Sequence, residues 1–404
     1  MDAALVERLE AEMDYEAART EPPPGFPALP DLPLRRYTDP EFYRLESEHL
    51  WSRSWLFACH DSELPEPGSY RVVDLVGAPV LLTRGDDGEI RAFYNSCRHR
   101  GAPVVRDEAG CERLLRCQYH SWTYDLQGNL VNVPDERDFV GLCREERALV
   151  SVRCETWAGL VFVNRDPNAG SLREWLAPIP TELDELARQP WRCLGRTSSI
   201  VKCNWKVTAE AFLEVYHLRT VHSKSVNTLL DGRASTMGLL ANGHTRMVTR
   251  LRPDVIARGG ISLGLPTSPE MGEIFRTTNT AYGMFPNLIV PLDVVGFPLL
   301  LFWPIDIGTT RLDLVWLAVD WGEGDRPPAW DMLQAGFDMV MAEDERNMEP
   351  IQRSIASAAH GGVPLSYQER RIQHFHVWVD RCIGVERIPT DLRVPDLLAD
   401  WVEQ

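Results

Sequence analysis

Two short Cys/His pairs carry the strongest chemical signal in this chain. Cys97 and His99 are separated by one residue; seventeen residues later Cys117 and His120 are separated by two. Two thiolates and two imidazoles suit a soft or borderline metal. Two loops bearing such pairs can bring all four ligands together, and two solutions fit. One is a tetrahedral zinc site. The other is a two-iron, two-sulfur cluster with cysteine on one iron and histidine on the other. Imidazole is neutral where thiolate is anionic, so such a cluster carries less negative charge and its potential rises, which makes it an electron relay. Cys111 lies inside this stretch but outside the pattern and reads as a structural thiol.

A second group of residues could hold another metal. Asn204-Trp205-Lys206 is followed by Glu210, Glu214, His217 and His222. Two histidines and a distant carboxylate can form a facial triad on Fe(II), with one side left open. The acidic run Glu343-Asp344-Glu345, on a predicted late helix, offers carboxylates. Glu214 and His217, three apart, share a helix face. His217 and His222, five apart, diverge by roughly 140° on an ideal helix. Both reach one ion only if the helix ends, kinks or bulges between them, so a break is expected at Arg219 to Val221. His374 and His376, two apart on a predicted helix, face different ways.

The elements that must position these residues fall into three stretches. Residues 1–49 read as a helical arm: a helix over 1–19, a proline-rich linker over 21–34, then a helix capped by Asp39 with Pro40 in its first turn. Residues 50–165 read as a small antiparallel β domain, with strands over 69–75, 79–84 and 89–94 and a second hairpin over 150–156 and 159–164. Residues 166–404 read as a larger domain. It has a helix from Asn204 to about His222 and strands near 244–251, 281–290, 296–303 and 311–319. A long helix covers 328–358, and a last helix opens with the capping box Ser366 to Glu369. The fold class is α+β, an antiparallel sheet backed by helices.

Composition narrows the function classes. The chain has 404 residues, is 44% hydrophobic and 25% charged, and carries 42 basic against 59 acidic residues, a net charge of −17. That charge argues against nucleic-acid binding and against adsorption to an anionic membrane. No run approaches a membrane span and no signal peptide is evident, so a cytoplasmic protein is expected. Nine cysteines, an odd number, make no disulfide framework. From Cys97 to His120 the local charge is the reverse, five arginines against three acids. A basic rim could steer an acidic electron donor, and ordinary surface arginine reads equally well.

The run SCRHRGAPVV…CQYHSWTYDLQGNL resembles the Rieske motif, and NWK…E-x-x-x-E-x-Y-H-x4-H resembles the catalytic segment of Rieske-type ring-hydroxylating oxygenases. The resemblance covers most of the chain, with both motifs in order. It implies a terminal oxygenase (alpha) subunit, with a Rieske domain and a helix-grip catalytic domain. It also implies one [2Fe–2S] cluster, with Cys97 and Cys117 on one iron and His99 and His120 on the other. One mononuclear Fe(II) would be held by His217, His222 and Asp344, with Glu343 or Glu345 as fallbacks. Glu214 would bridge that iron to a Rieske histidine of a neighbouring subunit, which implies a closed ring, a homotrimer. The position is often Asp; Glu here resembles the variant in oxygenases acting on quaternary amines.

The implied activity is oxidoreduction with incorporation of O2. Electrons would come from NAD(P)H through a reductase or a ferredoxin, to hydroxylate or oxidatively demethylate a small aromatic or quaternary-amine substrate. Candidate pocket residues are Phe212, Leu213, Leu229, Leu230, Phe285 and Phe302, and residues 252–269 are a candidate lid. A β subunit is left open. The rival readings are a Rieske electron-transfer protein with a non-catalytic binding domain, and a zinc-binding interaction protein.

Overall fold

The computed structural model describes every residue except Ile261, 358–360 and Gln404, so His360 and the last residue of the expected long helix lie outside the described residues. The chain divides into two units, Ser52–Trp175, and Met1–Trp51 with Leu176–Gln404.

The smaller unit is built from antiparallel strands: β1 (Leu56–His60), β2 (Ser69–Asp74), β3 (Pro79–Arg84), β4 (Ile90–Tyr94), β5 (Ala109–Cys111), β6 (Leu115–Arg116), β7 (Thr123–Tyr124), β8 (Leu130–Asn132), β9 (Ser151–Trp157) and β10 (Leu160–Asn164). Seven form one sheet in the order β1-β10-β9-β4-β3-β2-β5, and β6-β7-β8 form a second. Leu81, Phe93, Val104, Leu115, Tyr124 and Leu130 pack into one core with Cys97 and Cys117. That core is the rigid base on which the Cys/His loops sit.

The larger unit holds a seven-stranded antiparallel sheet, β11 (Trp191–Val201), β12 (Leu230–Leu239), β13 (Thr245–Leu251), β14 (Thr278–Met284), β15 (Leu288–Leu292), β16 (Gly296–Asp306) and β17 (Thr309–Val319). Its order is β11-β17-β16-β15-β14-β13-β12. The expected strand 281–290 is a hairpin, β14 and β15, with residues 285–287 in the turn. Strands β11 and β12 are additions to the sequence reading; their Ser, Thr and Gly content hides the apolar alternation that marks a strand.

Five helices matter for the site. Helix α1 (Ala3–Ala18) buries Leu5, Leu9 and Met13, and its Glu12 accepts a hydrogen bond from Thr236 of β12 at 2.6 Å. Helix α2 (Pro40–Leu45) is capped by Asp39, whose side chain accepts from the backbone of Glu41 and Phe42; such a cap contributes about 1 kcal/mol. Helix α3 (Trp205–Glu210), the long α4 (Ala329–Ile355) and α5 (Arg370–Ile383) complete the set. Helix α5 follows the Ser366–Glu369 capping box and buries Ile372, Phe375 and Val379. Among the described residues no helix is long and apolar enough to cross a membrane.

Candidate metal centres

In the smaller unit the two Cys/His loops repeat one backbone device. The Cys97 N–H donates to the Ala102 carbonyl and its own carbonyl accepts from Gly101, at 2.8 and 2.9 Å. Cys117 does the same with Trp122 and Ser121, both at 2.9 Å. Each turn needs one left-handed residue. Gly101 (φ +75°) adopts it freely, while Ser121 (φ +59°) does so at some cost. The turns aim both thiols inward, where they are almost fully buried, and leave the imidazoles closer to solvent.

The side chains around them are fixed. The His99 and His120 rings lie 4.5 Å apart, and His99 stacks on Trp122 at 5.0 Å. The Tyr124 hydroxyl contacts Cys97 Sγ at 3.4 Å and accepts from the Arg98 N–H at 3.0 Å. Burial pushes the Cys97 thiol up, so its thiolate needs a cationic partner. His99 Nδ1 is buried without a hydrogen-bond partner. Among the described residues, three metal-ligating atoms lie within 4.8 Å of one another only at His217, His222 and Asp344. A single zinc would draw its four donors inside that distance. The wider spread at Cys97, His99, Cys117 and His120 suits a two-iron cluster. Cys111 is exposed on an edge strand, its Sγ 3.8 Å from the Pro67 carbonyl, rather than buried structural packing. The five arginines of the stretch, 98, 100, 106, 113 and 116, are all exposed.

In the larger unit the helix expected to run to His222 stops at Glu210, well before Arg219 to Val221. Beyond it, Glu214 organises the next turn. Its carboxylate accepts from the backbone N–H groups of Tyr216 and His217, which then need no carbonyl four residues back. A 3₁₀ turn, Tyr216–Arg219, replaces the helix and itself ends at Arg219. This puts His217 and His222 beside each other, ring centroids 5.0 Å apart.

Helix α4 supplies the carboxylate. Asp344 Oδ1 lies 3.0 Å from His222 Nε2 and 3.6 Å from His217 Nε2. Each histidine has its other nitrogen on a second carboxylate. Glu214 takes His217 Nδ1, and Glu343 takes His222 Nδ1 at 2.7 Å, with Ser225 donating to the same Glu343 oxygen. Carboxylates on Nδ1 leave both Nε2 atoms turned to one point, the arrangement that holds a ligating imidazole in place. Burial works against a charged His222, yet the hydrogen bonds to Asp344 and Glu343 outweigh it and raise its pKa. The site therefore favours positive charge, and its donor set fits a divalent metal. Of the two fallback ligands, Glu343 thus holds the far side of His222, and Glu345 faces Ser199 at 3.1 Å. The role of Glu343 escapes sequence reasoning because its partner is 121 residues away.

A cavity of about 560 Å³ opens on these residues. Phe212, Leu229 and Leu230 line it as expected. Leu213, Phe285 and Phe302 instead line a neighbouring void of about 10 Å³ and are core. Trp316, Phe337 and Asp293 were missed. Leu263, from the expected lid segment, is on the wall. His374 donates from Nε2 to the Leu240 carbonyl and His376 pairs with Glu210, so the two point apart.

Residues 54–152 match the Rieske [2Fe-2S] domain, and residues 181–385 match the ring hydroxylating alpha subunit catalytic domain. The chlorobenzene dioxygenase subunit alpha of Cupriavidus sp. (strain PS12) is 35% identical over 225 residues, 52% of this chain and 46% of that protein. The carnitine monooxygenase oxygenase subunit of Escherichia coli (strain K12) is 33% identical over 193 residues, 47% of this chain and 52% of that protein. The chain spans about half the length of the curated relatives it matches. Two solved structures share the fold. A quaternary ammonium Rieske monooxygenase superposes with TM-score 0.75 at 21% identity, covering 92% of this chain and 100% of that one. Naphthalene 1,2-dioxygenase from Rhodococcus sp. superposes with TM-score 0.73 at 24% identity, covering 95% and 99%.

Proposed function

Since the chain belongs to the ring hydroxylating alpha subunit family of Rieske non-haem iron oxygenases, we propose that it is the terminal oxygenase of a multicomponent system. It uses O2, and electrons from NAD(P)H delivered by a reductase or ferredoxin, to hydroxylate or oxidatively demethylate a small organic substrate. The observation that carries this reading is the convergence of His217, His222 and Asp344 on one wall of a 560 Å³ cavity. An electron carrier has no need of a second metal site beside a substrate-sized space.

Cys97 and Cys117 would hold one iron of a [2Fe–2S] cluster, His99 and His120 the other, and His217, His222 and Asp344 a mononuclear Fe(II). Bound there, these groups supply one-electron transfer and oxygen activation. The residues of the chain do the rest. Glu214 and Glu343 hold the Nδ1 protons, which fixes both imidazoles with Nε2 toward the metal position. Asp344, almost fully buried, offsets charge at that position. Phe212, Leu229 and Leu230 give that position an apolar wall.

Glu214 has both oxygens engaged within its own turn. As the link to a neighbouring subunit it would accept one further hydrogen bond through a remaining lone pair. On this reading the subunits form a ring, a homotrimer.

Oxygen consumption tests the proposal. With a reductase, NADH and substrate, the wild-type chain consumes O2, and Asp344→Ala abolishes this while the visible spectrum of the cluster persists. His120→Ala loses that spectrum. Unchanged electron transfer and unchanged O2 consumption in Asp344→Ala would mean a carrier with a non-catalytic domain.

A further inference from the structure

The cavity beside Asp344 is apolar over most of its wall, yet a third carboxylate, Asp293, lines it in addition to Glu214 and Asp344. Asp293 follows directly on β15, and the register pairs Leu292 with Thr280 near the start of β14. The carboxylate therefore sits at the end of the β14–β15 hairpin opposite its turn, where Thr278 and Asn279 also line the cavity.

This acid has little to balance it. Its carboxylate accepts the Val295 N–H, on Oδ1 at 3.1 Å, and the Val294 N–H. Among the described residues Arg276 is the one cation whose charge bears on it, and the Arg276 guanidinium donates to the Ser268 carbonyl at 3.3 Å. Among the described residues no lysine or arginine lines the cavity. The other two carboxylates are committed, Glu214 to His217 and Asp344 to the metal position. Burial pushes the Asp293 carboxyl above its ordinary range, against the pull of Arg276 and the backbone, so its anion is under-compensated. Aromatic rings complete the picture. Phe297, Trp316 and Phe337 line the same space, Trp316 and Phe337 packed edge to face at 5.4 Å. An anion and aromatic faces in one apolar chamber are the two features that stabilise an organic cation. The volume suits a ligand of small-molecule size.

We propose that Asp293 is a specificity-determining residue that recognises a positively charged nitrogen on the substrate, so that the cavity selects an organic cation over a neutral molecule of the same shape. This rests on the terminal oxygenase reading above and narrows its substrate class.

Two probes separate charge from shape. Benzyltrimethylammonium and neopentylbenzene have the same heavy-atom skeleton and differ in one atom, a cationic nitrogen against a neutral carbon. Their binding to the iron-loaded chain is compared by equilibrium dialysis. The wild-type chain is expected to bind the cation at least about tenfold more tightly, as a desolvated charge contact requires, and Asp293→Asn to lose that preference. Equal binding of the two probes by the wild-type chain overturns the proposal without recourse to any variant. An unchanged preference in Asp293→Asn overturns it as well. The same samples are assayed for iron and sulfide. A full complement without cation preference removes the role of Asp293 alone, whereas a missing mononuclear iron removes the oxygenase reading.

Discussion

At the scale of single residues, the pair Glu343 and Asp344 divides one task between neighbours. Asp344 faces both Nε2 atoms, while Glu343 reaches the far side of His222. A carboxylate on Nδ1 typically contributes 10- to 100-fold to metal affinity or activity. Glu343→Gln is therefore expected to weaken Fe(II) binding by about that factor, measured by iron titration, and to leave the [2Fe–2S] absorption unchanged. An affinity equal to wild type would mean that Glu343 is an ordinary surface acid. Cys97, His99, Cys117, His120, His217 and His222 stand out in the sequence because their spacing is short. Glu343 and Asp293 do not, because what gives each its meaning comes from elsewhere in the fold: His222, 121 residues from Glu343, and the cavity around Asp293.

At the scale of elements, the short helix α3 is tied down on every side. Asn204 caps it, donates to the carbonyls of Tyr37 and Ile307, and takes Gln352 of α4 on its backbone N–H. The last residue of α3, Glu210, accepts from Tyr37 and pairs with His376, and burial pushes its carboxyl up to about 8. A carboxyl whose folded pKa exceeds its unfolded value stabilises the fold below the unfolded value and loses that contribution as pH rises through the folded one. The melting temperature of the wild-type chain should accordingly fall between pH 4.5 and about 8. Glu210→Gln should flatten this limb; an identical slope in the variant would contradict the assignment.

Gly296 opens β16 at φ +142°, and a Cβ there would clash with the Leu317 carbonyl oxygen. Gly296→Ala should cost roughly 1–3 kcal/mol, read as a lower melting temperature. A melting temperature equal to wild type would show that β16 and β17 can part without penalty. The strands with apolar alternation, the capping box at Ser366 and the long α4 were legible in the sequence. The end of α3 at Glu210 was not, and the turn beyond it rests on Glu214 taking the backbone N–H groups of Tyr216 and His217. Strands β11 and β12 were hidden by their polar content.

At the scale of the whole molecule, the chain carries a net charge of −17 but presents its five arginines between Cys97 and His120 to solvent. The same scale holds the central claim, that one chain houses two different iron groups. The most direct test is iron and acid-labile sulfide per chain, with a visible spectrum, on anaerobically purified protein. About three irons and about two sulfides in a red-brown protein are expected. About two irons and two sulfides, unchanged after incubation with Fe(II), would contradict the oxygenase, and zinc without sulfide would contradict the cluster itself.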